Sequence, residues 1–371
     1  MALSSSELVG VHAVAGPLDQ LIDRRRATYD AAVELASHSP APLGLTPAVI
    51  DHPVVRAHLA DVLSGTDDLD PGRFTSVDEL VSDMGRWLAG GHHIRVASTR
   101  SAPGALSGPI RRIDAELGRR GADLLSEVVL HDGVPGFAEA ARILRQGLDL
   151  ALHTVPALAA DLLPHVALFA LLDRNSAGRL GSASAREYPG LIVLPAPASP
   201  LEAAEAFIHE GAHQKLFDLG IVGSLFAPDF WRAPTYRPSW AAPGSVPWPF
   251  EQTVAAFHAY SCLAALWQAL DEPPTDAGSL LRPAAGRAAE LGEQVDALRA
   301  HLGADGQAFL DRLHGRPGRT GPADTGRPPR PMAPGSATST VIRHCGSWTL
   351  SMRWPQARKR PAEIVWTLNS S

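Results

Sequence analysis

The stretch SPLEAAEAFIHEGAHQKLFDLG, residues 199–220, decides how the rest of the chain is read. Ser199 can accept a backbone N–H at a helix start, Pro200 suits the first helical position, and Glu202 has capping-box spacing from Ser199. Gly220 suits a C-terminal stop. The segment therefore predicts a helix, and His209-Glu210-Gly211-Ala212-His213 falls inside it. Histidines four apart share one helical face about 6 Å apart, a span that one cation can bridge. The same HExxH letters in a loop would carry no such geometry.

Upstream, HVALFALLD (165–173) and GLIVLPAP (190–197) are short apolar runs bounded by turn residues and predict buried strands. The second feeds the helix directly. Between them, residues 174–190 have the Gly, Ser and Asn content of a loop or bent hairpin. The first 160 residues predict successive helices over 17–38, 46–65, 76–91 and 136–163, the last broken at Pro156. Downstream, 220–248 lacks periodicity but carries Phe226, Phe230, Trp231, Tyr236, Trp240 and Trp248, which suit a packed lid or pocket wall. Helices are predicted again over 249–273 and 277–314. The expected fold is mainly α with a small β-sheet (α+β). It comprises a helical N-terminal region 1–160, a metal-binding core 161–315 packed on it or continuous with it as one domain 1–315, a Pro/Gly/Arg-rich linker 316–340 and a basic tail 341–371. The core is expected to be zincin-like, a strand leading into the HExxH helix, then the aromatic loop and a second ligand-bearing helix.

Bulk properties bound the function. With 371 residues, 45% of them hydrophobic, the chain has material for a large core. It holds no run of 18 apolar residues and no basic-then-apolar leader, so neither a membrane span nor a secretory signal is expected. Two cysteines, Cys262 and Cys345, make no disulfide framework or thiolate cluster and suit a cytoplasmic location. Residues 316–371 carry nine Arg or Lys against Asp324 and Glu363, a net +7, leaving −13 for residues 1–315 of the total −6. Such a basic segment reads first as a solvated tail, and no nucleic-acid partner is expected.

Two histidines need a third ligand, because catalytic metal sites usually take three protein donors and keep a position open. The HExxHxxGxxH extension fails, since Leu216 and Leu219 stand where Gly and His are required. His258 is the stronger candidate, flanked by Ala255, Ala256 and Ala259, which allow close helix approach. Glu251, seven residues earlier on the same face, is either an alternative ligand or a hydrogen-bonding partner of His258. If the metal is zinc, Glu210 becomes the general base of a metallopeptidase. If no metal binds, the helix belongs to a non-catalytic binding protein.

The segments GSASAREYPGLIVLPAPASPLEAAEAFIHEGAHQKL, WRAPTYRP and FHAYSCLAALW, in this order over roughly residues 180–270, resemble the HExxH-motif peptide-modification family. Its members are iron(II)- and 2-oxoglutarate-dependent peptide β-hydroxylases acting on ribosomally made peptides. The resemblance implies that His209, His213 and His258 bind iron(II), with Glu210 in a supporting role. It also implies a peptide substrate, carried on a leader peptide, and a pocket lined by Trp231, Tyr236 and Trp240. The far carboxylate of 2-oxoglutarate needs a guanidinium. Arg237, in the Arg-Pro element, is the first choice, then Arg232 and Arg186. Gly211-Ala212 departs from the bulkier pair of family members.

Overall fold

A computed structural model of the chain describes residues 18–37, 45–63, 85–89, 92–98, 106, 108–110, 129–174, 182–242, 244–271, 279–315 and 365–367. In order, the elements are α1 (Leu18–Ser37), α2 (Pro47–Ile50), α3 (Pro53–Leu63), β1 (Gly85–Ala89), β2 (His92–Val96), α4 (Phe137–Thr154) and α5 (Pro156–Leu162). There follow β3 (Leu168–Leu172), β4 (Ala183–Ala185), β5 (Leu191–Pro195), α6 (Pro200–Val222), α7 (Phe250–Ala269), α8 (Leu281–Ala297), α9 (Ala304–Leu313) and β6 (Val365–Thr367). The described chain is mainly helical around one small mixed sheet, in the order β1-β2-β3-β5-β4-β6. The central strands β2, β3 and β5 run parallel, while β1, β4 and β6 pair antiparallel.

The apolar runs become strands because both of their faces are covered, the condition under which strands read as continuous rather than alternating hydrophobics. Phe169, Leu171, Ile192 and Leu194 join the cluster that includes α4, α6 and α7. Leu168, Ala170, Leu172, Leu191 and Val193 pack on the other face with Leu106, Ile110 and Val129. Leu21 of α1 and Ile94 and Val96 of β2 belong to the first cluster, so residues from before and after position 160 share one core.

The structure differs from the sequence reading in several places. The helix expected over 46–65 is two, because Pro53 lacks an N–H and disfavours helical backbone at the residue before it. Of the helix expected over 76–91, residues 85–89 form β1, paired with β2 in the register Ala89↔His92. Residues 76–84, and Gly90-Gly91 read as a helix stop, lie outside the described residues. The N-terminal region is therefore not wholly helical, since it contributes two strands to the sheet. Helix α6 passes through Gly220 and ends at Gly223, whose N–H caps Leu219 O. Residues 277–314 hold two helices, α8 and α9. The linker 316–340 lies outside the described residues, and of the tail only β6 is described. No described helix is long and apolar enough to cross a membrane.

Candidate metal centre

Helix α6 starts as its sequence specifies: Ser199 Oγ accepts the Glu202 N–H at 3.2 Å, and Glu202 Oε2 accepts the Ala198 N–H at 2.7 Å. Every residue from Ala203 to Leu219 is buried, so this helix has no polar outer face. Its polar side chains must each find partners inside the protein. Glu205 accepts from Ser279 Oγ and the Leu280 N–H, both 2.7 Å, at the start of α8. Gln214 accepts the Gly190 N–H at 2.5 Å and donates to Leu191 O at 2.9 Å, clamping the helix to the entry of β5. Lys215 Nζ pairs with Asp161 at 2.6 Å. Asp218 takes Arg25 at 2.5 Å, His165 Nδ1 at 2.6 Å and Arg56.

Glu210 points away from solvent into this same scheme. Ser182 Oγ donates to its Oε1 at 2.7 Å and Ser184 Oγ to its Oε2 at 2.5 Å. Burial pushes the carboxyl up to about 8, against the pull of the two serine donors. These serines were legible only as part of a loop. The Ser-Ala-Ser alternation is the signal that could have found them, because positions 182 and 184 share one face of a strand while Ala183 and Ala185 pack on the other.

The two motif histidines converge. His209 Nε2 and His213 Nε2 are 3.0 Å apart, with the rings edge to face at 4.6 Å. Burial lowers His209 to about 3, helped by the charge of Arg287, and lowers His213 well below its ordinary value, helped by His209 and His258. Both rings are therefore neutral near pH 7, the form that donates a lone pair to a metal. His209 Nδ1 is buried without a hydrogen-bond partner. His258, on α7, donates from Nδ1 to the Ala212 carbonyl at 3.1 Å, which sets its tautomer and leaves Nε2 as the basic nitrogen. Among the described residues, no group of three or more His, Cys, Asp or Glu side chains is gathered at metal-binding spacing. The two rings are thus the candidate donors, and imidazole nitrogens suit a borderline divalent ion better than Mg or Ca.

The other expected site residues are dispersed. Glu251 is not the partner of His258 Nδ1, which donates to Ala212 O. Burial raises the Glu251 carboxyl, with Arg186 opposing and Glu187 adding to the shift, so Arg186 sits on the Glu251 side. Arg237 is exposed and donates to Ser245 O at 2.6 Å across its own loop. Arg232 is exposed and stacks at 6.0 Å on Trp231, itself 55% exposed. Tyr236 turns its hydroxyl to Glu290 at 2.6 Å. Of the three aromatics expected to line the pocket, Trp240 packs 5.9 Å from Tyr260, whose ring in turn lies 5.7 Å from His209. Tyr260 and Arg287 are the neighbours that the sequence did not single out. Comparison of the sequence with protein-family models and with curated proteins finds no match to either.

Proposed function

We propose that the protein is an iron(II)- and 2-oxoglutarate-dependent oxygenase that hydroxylates a β-carbon of a ribosomally made peptide, built on a zincin-like strand-and-helix core. The observation that carries this reading is the facing pair of neutral, buried ring nitrogens of His209 and His213. His258 serves as the third donor, its tautomer held by Ala212 O. Bound iron(II) with a 2-oxo acid supplies the oxidising chemistry that C–H hydroxylation requires. The chain's own residues do the rest. Helix α6 keeps the pair out of water, and Trp240 and Tyr260 wall the approach, conditions that protect a reactive centre.

Glu210 separates this reading from a zinc peptidase. A peptidase base needs its carboxylate on metal-bound water. Here both oxygens are engaged by Ser182 and Ser184, so Glu210 joins β4 to α6. The test begins with untagged protein reconstituted with iron(II) without oxygen. Near-stoichiometric iron is expected, lost in H209A and H213A. With 2-oxoglutarate, a peptide library and then oxygen, succinate and a hydroxylated peptide are expected, and E210Q retains succinate formation. Peptide cleavage that disappears in E210Q, without succinate, overturns the proposal in favour of the peptidase. Protein that binds no metal overturns both.

A further inference from the structure

Arg287, on α8, is half-buried. Arg25, Arg26, Arg56 and Arg299 each pair with a carboxylate. Arg287 pairs with none among the described residues. It donates from Nη1 to the Tyr260 hydroxyl at 2.9 Å, and its guanidinium lies 5.1 Å from the Trp240 ring and 5.3 Å from the Tyr260 ring. A guanidinium stacked on aromatic rings keeps its in-plane N–H edge for an anion. Because Tyr260 Oη accepts from Arg287, its own proton is directed to another acceptor. Glu205, whose charge acts on Tyr260, accepts instead from Ser279 Oγ and the Leu280 N–H.

We propose that Arg287 and Tyr260, walled by Trp240, form a carboxylate-binding subsite beside the histidine pair. Tyr260 links the two, with its ring 5.7 Å from that of His209 and its hydroxyl on Arg287. A small 2-oxo diacid held at the pair by its keto-acid end would present its far carboxylate here. That ligand assignment rests on the proposed function. The other source of the same chemistry is the C-terminal carboxylate of a peptide. In either case the subsite belongs to α7 and α8 rather than to the arginines of the aromatic loop.

The test uses the full chain loaded with iron(II) without oxygen, reading tryptophan fluorescence and melting temperature. Wild type is expected to bind 2-oxoglutarate more tightly than 2-oxobutyrate, which lacks the far carboxylate. R287Q should weaken 2-oxoglutarate roughly 10- to 100-fold, the range for a charge-assisted hydrogen bond, and leave 2-oxobutyrate unchanged. Y260F, which keeps the ring and the packing, should show a smaller loss of the same selectivity and carries the test if R287Q does not fold. Tetra-alanine as free acid and as amide distinguishes the source. Acid-selective binding that is lost in R287Q, with 2-oxoglutarate unaffected, keeps the subsite and assigns it to a peptide terminus. Unchanged binding of both carboxylates in R287Q and Y260F overturns the subsite while leaving the proposed function standing. Loss in R237Q instead of R287Q also overturns it. Wild type that binds neither 2-oxo acid overturns the proposed function and the diacid assignment with it.

Discussion

At the scale of single residues, the motif helix shows what it costs to bury polar groups and how this chain offsets that cost. Glu210, Gln214 and Lys215 lie within two residues of the motif histidines, yet each turns to a different element: β4, the entry of β5 and α5. Removing a donor leaves the buried partner unsatisfied, a loss of about 1–3 kcal/mol. S182A and S184A should each lower the urea midpoint accordingly, and the double variant should lower it further. A midpoint equal to wild type would show that Glu210 does not depend on these serines. The histidines and Glu210 were visible as letters. Their partners were not, because Ser182 and Ser184 stand 28 and 26 residues from Glu210, and only folding of the sheet against the helix makes them neighbours.

At the scale of elements, the position of α6 depends on how closely α4 can approach it. A Cβ on Gly147 would lie 2.7 Å from Pro200 O and 2.9 Å from Ala204 N, at the first turn of α6. G147A should therefore destabilise by overpacking, by roughly 1–3 kcal/mol, and shift the helix that carries the histidines. Thermal unfolding of G147A measures the cost, and a melting temperature equal to wild type would show that the crossing relaxes freely. The helix itself was legible from Ser199, Pro200 and Glu202, since caps act within a few residues. Strand β1 hides in the sequence because Ser76 and Glu79 have capping spacing and Gly90-Gly91 has the composition of a helix stop, yet residues 85–89 pair with β2. Local chemistry permitted both, and pairing of β2 with β3 made the strand.

At the scale of the whole molecule, Asp218 ties the N-terminal helices to the motif helix. Burial alone would raise its carboxyl, but Arg25, Arg56 and the hydrogen bond from His165 outweigh this and hold it far below the usual aspartate range. D218N breaks the buried pairs with Arg56 and with Arg25, which keeps Asp51, and should cost about 3–5 kcal/mol. The sign of the pH dependence follows from the depressed folded pKa. The Asp218 contribution is complete above the unfolded aspartate value and is lost as pH falls below it. The gap between wild type and D218N should thus narrow by about 1 kcal/mol for each pH unit below about 4. His52, lowered to about 4 by burial and then by Arg95, adds stability above its ordinary value of 6.5 that is lost between 6.5 and 4. Urea unfolding of both proteins from pH 7 to pH 3 measures both effects: a constant gap would contradict the Asp218 contribution, and the His52 loss should appear in both proteins alike.

The sequence by itself determined the helical register of the motif, the pair of strands before it, and the break at Pro156, because caps, prolines and apolar runs act over a few residues. Tertiary structure alone decided what surrounds the histidines. Arg287 was one guanidinium among many in the sequence, and Arg237 stood in a more suggestive context. Packing of α8 against α7 brings Arg287 to Tyr260 and so to His209, while Arg237 spends its donor on Ser245. Electrostatics and hydrogen bonds act through space, and no local pattern in the chain records which distant side chains the fold will bring together.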